Sequence, residues 1–289
     1  MAESLITEGD PQQLAPKEPG SRKPVRKRRE QGWLVIALSR IAVFAAVVAF
    51  WQYAVVSGLV SGLVVPTATE VVSRFWRDLV SVLTGGAMRE HFLVTAGEIY
   101  AAFLIVLVGG TLAGVVIHEV RFVNRVIYPY IVAFAAMPRV AFAPLVLIWF
   151  GFDMASKIVI GIMIALFPTL VATLAGLAAT DDEKLQLMRA LGATQLETFL
   201  KVRFWEALPY IFAGLQTSVV TATIGVVVGE FAGGRRGLGV LVTVYQDSLD
   251  IAGSFSAIFL LSLVGLFNYY VMQYARKRIV YWVGERVPA

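Results

Sequence analysis

The chain contains no cysteine and only two histidines, His91 and His118, which lie far apart in sequence. The missing cysteine excludes disulfides, thiolate zinc sites, cysteine-ligated iron–sulfur clusters and a cysteine nucleophile. Two separated histidines argue against a histidine-based metal site or a catalytic triad. Charge is scarce too: 16% of residues are Asp, Glu, Lys or Arg, against about a quarter in a soluble domain. No Gly-Lys dipeptide occurs, so there is no Walker A loop to hold nucleotide phosphates. Paired carboxylates and nucleophile–base pairs at useful spacing are also missing. The expectation is a chain with no catalytic residue, no bound metal and no cofactor of its own.

Apolar residues are what the chain has in abundance. They make up 58% of its 289 residues, more than one core of this size can hide, and the bilayer is the simplest place for them. Six segments have the length and composition to cross it: Trp33–Val56, 91–117, 126–150, 156–178, 209–231 and 255–274. The fold class expected is all-α, a polytopic membrane protein with about six transmembrane helices. Segment 66–83 reads as a short amphipathic helix at the outer surface. Val71, Phe75, Leu79 and Val82 share one face, and Arg74, Arg77 and Asp78 lie elsewhere.

The net charge is +5, and its positive groups sit beside apolar segments. That points to anionic lipid and membrane orientation rather than nucleic acid. Residues 1–31 read as a disordered tail whose basic run, 22–29, directly precedes the first span. Six spans put both termini on one side. Arg121, Arg125, Lys184, Arg189, Lys201, Arg203, Arg276, Lys277 and Arg278 join the tail there. Arg74, Arg77, Arg89, Lys157, Arg235 and Arg236 fall on the other side. The richer side is the cytoplasm by the positive-inside rule. Glycines four apart (Gly58/Gly62, Gly110/Gly114, Gly225/Gly229, Gly229/Gly233) read as helix-packing positions. Trp51, Tyr128, Trp149, Tyr281 and Trp282 suit an interfacial aromatic belt.

The most informative segment is the cytoplasmic loop 179–208. Thr180 precedes Glu183 by three and Thr194 precedes Glu197 by three, two candidate capping boxes. Gly192 stands between them, where a glycine can end a helix in the left-handed region. The pattern predicts two short amphipathic helices. One carries Leu185, Met188 and Leu191; the other carries Leu196, Phe199, Leu200 and Arg203. Such a pair can enter a groove on a soluble partner or lie flat on the headgroups, and the residues alone leave both open.

The stretch Leu187-Met188-Arg189-Ala190-Leu191-Gly192-Ala193-Thr194, continuing to Trp205-Glu206-Ala207-Leu208-Pro209, resembles the cytoplasmic "EAA" loop of ABC importer permeases. Met137-Pro138-Arg139-Val140-Ala141-Phe142-Ala143-Pro144-Leu145 with Ile148-Trp149-Phe150-Gly151 resembles the third-span signature of the nitrate/sulfonate/taurine (bicarbonate) branch. Phe167-Pro168 with Gly176-Leu177, and Val228-Gly229-Glu230-Phe231 with Gly237-Leu238-Gly239, fit the next two spans. The family's Glu-Ala-Ala falls here on Gln186-Leu187-Met188, and Glu98 stands where the branch often has a basic residue.

This resemblance implies a type I ABC importer permease fold in the bacterial inner membrane. The expected organisation is a tail at 1–31, a first transmembrane helix and outer helix at 32–90, a permease domain at 91–275 and a cytoplasmic tail at 276–289. It implies a pair of ATPase subunits carrying ATP and Mg, a second permease chain (a homodimer) and an extracytoplasmic substrate-binding protein. It also implies a small anionic substrate such as a sulfonate, taurine, nitrate or bicarbonate. Glu183, Met188, Arg189, Ala190, Leu191, Gly192, Ala193 and Glu197 become the expected ATPase-coupling residues. Arg139, a charge inside a span between two prolines, and Glu230, near the outer end of the fifth span, become candidates for the translocation path. The competing assignments are an ion pair of Arg139 with Glu98 or Glu230 or its snorkelling to the surface, a structural ion pair for Glu230, and, for the whole chain, a secondary transporter or channel without an ATPase.

Overall fold

The computed structural model describes residues 33–62 and 64–282. The basic run at 22–29 lies outside the described residues. The chain divides into two compact units, Met1–Phe50 and Trp51–Ala289. Helix α1 (Trp33–Val56) is apolar apart from Ser39, Arg40 and Gln52, and in the first unit Phe44 and Phe50 are 71% exposed. No protein core in that unit covers them, as suits a helix solvated by lipid.

All regular structure among the described residues is helical. Helix α2 (Ala68–Thr84) opens on a capping box, in which Thr67 accepts from the Glu70 amide and Glu70 Oε2 accepts from the Thr67 amide at 3.0 Å. Its apolar face, with Phe75, Leu79 and Val82, packs on a core of Met88, Leu238, Val242, Leu260 and Leu261. The amphipathic face is therefore covered by protein. Asp78 corrects the sequence reading. It is buried rather than on the polar face, because Ser256 Oγ donates to it at 2.6 Å and Arg74 Nε at 3.2 Å.

The second span runs unbroken as α3 (Ala87–Ile105), a π-helical turn at Val106–Gly110, and α4 (Thr111–Glu119). The third expected span, 126–150, is not one straight helix. Helix α5 (Arg121–Ala136) and the segment Arg139–Phe150, a 3₁₀ turn leading into α6 (Ala143–Phe150), meet at 87°. Proline is the cause: Pro138 has no N–H, and Met137 before it is extended (φ −75°, ψ 144°), as a following proline demands.

Helices α7 (Met154–Ala178) and α10 (Phe204–Gly233) form the central pair. Lipid tails are as apolar as leucine, so such pairs hold by close backbone approach and buried hydrogen bonds rather than by hydrophobic burial. The residues fit that demand. A methyl group on Gly225 would lie 2.8 Å from the Gly161 Cα and 3.0 Å from the Ile160 carbonyl. Thr169 and Ser218 hydroxyls lie 2.6 Å apart, and Ser218 donates to the Ala165 carbonyl at 2.7 Å. Gly110 and Gly114 likewise face α7 through Thr169 and Thr173, whereas Gly58 and Gly62 face open space and pack against nothing. Helix α11 (Leu238–Asp247) and α12 (Ile251–Ile279) complete the unit. Helix α12 runs on through Arg276, Lys277 and Arg278, so the expected tail at 276–289 begins inside a helix.

Candidate functional site

Helix α8 (Asp182–Ala190) projects after the fourth span. Its N-cap is Asp181, whose carboxylate accepts from the Glu183 amide at 2.9 Å. The expected cap, Thr180, instead donates its hydroxyl to the Leu177 carbonyl at 3.0 Å, and a carboxylate one residue later takes its place. Two contacts tie α8 back to the fifth span. Glu206 accepts from the Asp181 amide at 3.1 Å and from the Lys184 ammonium, and this bond holds Lys184 above the usual lysine range.

The helix ends as the glycine predicts. Gly192 has φ +70°. Its N–H donates to the Arg189 carbonyl at 3.0 Å, and the Ala193 N–H donates to the Met188 carbonyl at 3.0 Å. These are the two bonds of a Schellman motif. Thr194 then caps α9 (Gln195–Thr198) with the full capping box expected, Glu197 returning a carboxylate oxygen to the Thr194 amide at 2.9 Å. From there the structure departs from two separate short helices. A π-helical turn at Phe199–Arg203 carries α9 directly into α10, giving one helical run, Gln195–Gly233. The second expected short helix is thus the base of the fifth span.

The loop exposes large apolar side chains among its charged ones. Leu187 (59% exposed), Leu191 (71%), Leu196 (66%) and Leu200 lie open on α8 and the segment after it. Glu183, Arg189 and Ala190 are exposed, Met188 and Ala193 are half-buried, and Glu197 is engaged with Thr194 and Lys201. All eight expected coupling residues stand within this single helix–turn–helix.

Arg139 is half-buried at the 87° break. It donates to the Ile164 carbonyl at 3.2 Å, and its guanidinium lies 5.0 Å over the Phe167 ring. Neither carboxylate named as its alternative partner reaches it. Glu98 pairs with Lys157 Nζ at 3.1 Å, and Glu230 accepts from Thr95 Oγ1 at 2.6 Å and from the Gly239 amide at 2.6 Å. Glu230 is 1% exposed and packed beneath the Gly237 turn, so within this chain it faces no open path. The arrangement is a buried polar knot joining α3, α7, α10 and the 237–239 turn. Lys157, 3% exposed, also donates to the Arg236 carbonyl at 3.2 Å. Sequence reasoning counted Lys157 among the outer-side charges, at the start of the fourth span. The signal available was a lone lysine opening an apolar span, in a chain whose neighbouring span carries an unexplained Glu98. No group of three or more His, Asp or Glu side chains positioned for a metal occurs among the described residues.

The sequence matches the binding-protein-dependent transport system inner membrane component family over residues 105–281. It is 29% identical over 264 residues to the riboflavin transport system permease protein RibX of Chloroflexus aurantiacus, covering 91% of this chain and 97% of that one. It is 27% identical to the Bacillus subtilis protein SsuC, named for aliphatic sulfonates transport, over 90% of this chain and 91% of the relative. The fold matches a permease chain from inward-facing structures of the MetNI methionine ABC transporter. The TM-score is 0.54 at 21% identity, over 66% of this chain and 94% of that one. A secondary transporter or channel without an ATPase is not favoured by a match of this extent. The chain belongs to the binding-protein-dependent transport system inner membrane component family, as a multi-pass permease of an ABC importer.

Proposed function

We propose that this chain couples a separate pair of ATPase subunits, which bind ATP and Mg, to a substrate path formed with a second copy of itself. The observation that carries the proposal is the leucine-rich surface of α8 and its Schellman turn. Four large apolar side chains projecting from a rigid, doubly capped helix–turn–helix fit a groove on a soluble partner better than they fit water. Met188, Leu191 and Ala193 supply apolar contact; Glu183 and Arg189 supply charged contacts at its edge. Gly192 and the Thr194–Glu197 box hold the turn rigid. Because α9 continues into α10, a push on the loop travels along one helical run into the spans. ATP-driven closure of the partner would therefore tilt the α7–α10 pair as a body and alternate access. Substrate would arrive from an extracytoplasmic binding protein at the opposite face, with both termini in the cytoplasm.

Arg139 supplies the substrate-facing charge. The break at Pro138 interrupts the helix where a path needs exposed polar groups, and the guanidinium retains donors beyond the one given to Ile164. The substrate class is a small anion such as a sulfonate, taurine, nitrate or bicarbonate. The length of the match to RibX favours, as a second reading, a flat heterocycle, which the Arg139–Phe167 stack would suit. Uptake into proteoliposomes containing the chain, its ATPase and its binding protein tests both. Arg139→Ala should abolish uptake of an anion while assembly persists; unchanged uptake refutes the role.

A further inference from the structure

The structure contains a cavity of about 680 Å³ at the base of the coupling loop, and the transport cycle above gives no role to its basic side chains Arg121, Arg125 and Arg203. It lies between the α4–α5 turn and the α8–α9 turn, and its walls include Arg121, Arg125, Arg189 and Arg203. Four guanidinium groups face one carboxylate there, Glu119. That carboxylate is already taken, because Arg203 Nη1 donates to both its oxygens at 3.0 Å. Among the described residues, Arg121, Arg125 and Arg189 form no ion pair and no side-chain hydrogen bond.

Three features make this more than a solvated basic face. Arg121 and Arg125 stand one turn apart on α5, so they repel each other unless an anion lies between them. Helix α5 begins at Arg121 with Val120 as its N-cap, so no side chain caps its first amides and no acidic residue stands in its first turn. A helix of 16 residues with free amides at its start adds donors and a favourable dipole for an anion. Arg203 sits at the end of the Phe199–Arg203 π turn, which turns it onto Glu119 and fixes one wall. Such single-turn π insertions are frequent at functional positions.

We propose that this cavity binds a phosphate ester. Arg121 and Arg125 hold the phosphate at the start of α5, and Arg189 closes over it from α8. The volume falls within the range that takes a nucleotide-sized ligand or a phospholipid headgroup, and both offer anionic phosphate oxygens that arginine forks recognise. The occupied site ties α8 to the α4–α5 turn, so the ligand regulates how freely the coupling helix moves.

The test uses the purified full-length chain in nanodiscs of phosphatidylcholine alone or with phosphatidylglycerol. Inorganic pyrophosphate is titrated by calorimetry at low ionic strength, and retained lipid is counted by native mass spectrometry. Saturable pyrophosphate binding in phosphatidylcholine discs is expected. It should weaken at least tenfold in Arg121→Gln/Arg125→Gln and stay unchanged in Lys277→Gln, a basic change on α12 outside the cavity. Phosphatidylglycerol retained by the wild type and lost by the double variant, without pyrophosphate binding, would equally support the site and assign it to a lipid headgroup. Absence of both, or equal behaviour of the double variant and Lys277→Gln, overturns the proposal. If the double variant does not fold, Arg189→Gln, on the exposed face of α8, makes the same comparison.

Discussion

Replacing Lys157 by methionine should destabilise the protein far more than an exposed lysine could. Glu98 is fully buried, its Oε1 accepts from Lys157 Nζ at 3.1 Å, and its Oε2 has no hydrogen-bond partner. Glu230 belongs to the same buried cluster, where it accepts from Thr95 on α3 and from the Gly239 amide. Lys157→Met therefore strands a carboxylate in a dry site beside a second one and removes the donor held by the Arg236 carbonyl. Breaking a buried pair this way costs about 3–5 kcal/mol, whereas replacing both partners with apolar groups is often neutral. On the scale of a chain this size each kcal/mol moves the melting temperature by roughly 2–4 °C. Lys157→Met should then melt on the order of 10 °C below the wild type, and Lys157→Met/Glu98→Leu should recover most of that loss. The assay is a thermal melt of the purified chain in mild detergent. Equal loss in the single and double variants would show that the pair is not an energetic unit and refute the reasoning.

Other consequences follow from the same geometry. Gly225→Ala should cost about 1–3 kcal/mol, because the new methyl meets backbone atoms of α7 rather than a movable side chain. Gly265→Ala, with nothing within 4 Å, should be neutral or slightly stabilising in the same melt. Thr194→Ala removes the capping box at the base of α10 and should cost about 1 kcal/mol. It should be seen as faster amide exchange confined to the start of α9. Leu187→Ser/Leu191→Ser should leave the melting temperature unchanged, since both side chains are exposed, and should reduce co-purification of the ATPase. Retention at wild-type levels would move the docking surface elsewhere.

Much of this was legible in the residues. Apolar runs located the spans, and the Thr194–Glu197 box and Gly192 described the coupling turn because capping is a local property of a few neighbouring residues. What was not legible depended on partners distant in sequence. Asp78 reads as a surface residue until Ser256 is brought against it. Lys157 reads as an outer-side orientation charge at the start of a span until Glu98 and the Arg236 carbonyl are placed around it. The third span reads as continuous because hydropathy ignores direction, and only the backbone restriction before Pro138 could have signalled the 87° turn. The fusion of α9 with α10 was hidden for a different reason. A π turn leaves no residue signature in Phe199-Leu200-Lys201-Val202-Arg203, so two periodic segments out of phase looked like two helices.

Coupling through the Gly192 turn is tested most directly by substrate-stimulated ATP hydrolysis in a reconstituted complex of this chain, its ATPase and its binding protein. Gly192→Pro is the comparison, since proline cannot adopt φ +70° and removes the N–H given to the Arg189 carbonyl. Stimulation in the wild type and its loss in an assembled Gly192→Pro complex is the predicted result. Transport that proceeds without ATP, or stimulation that survives the proline, would contradict it.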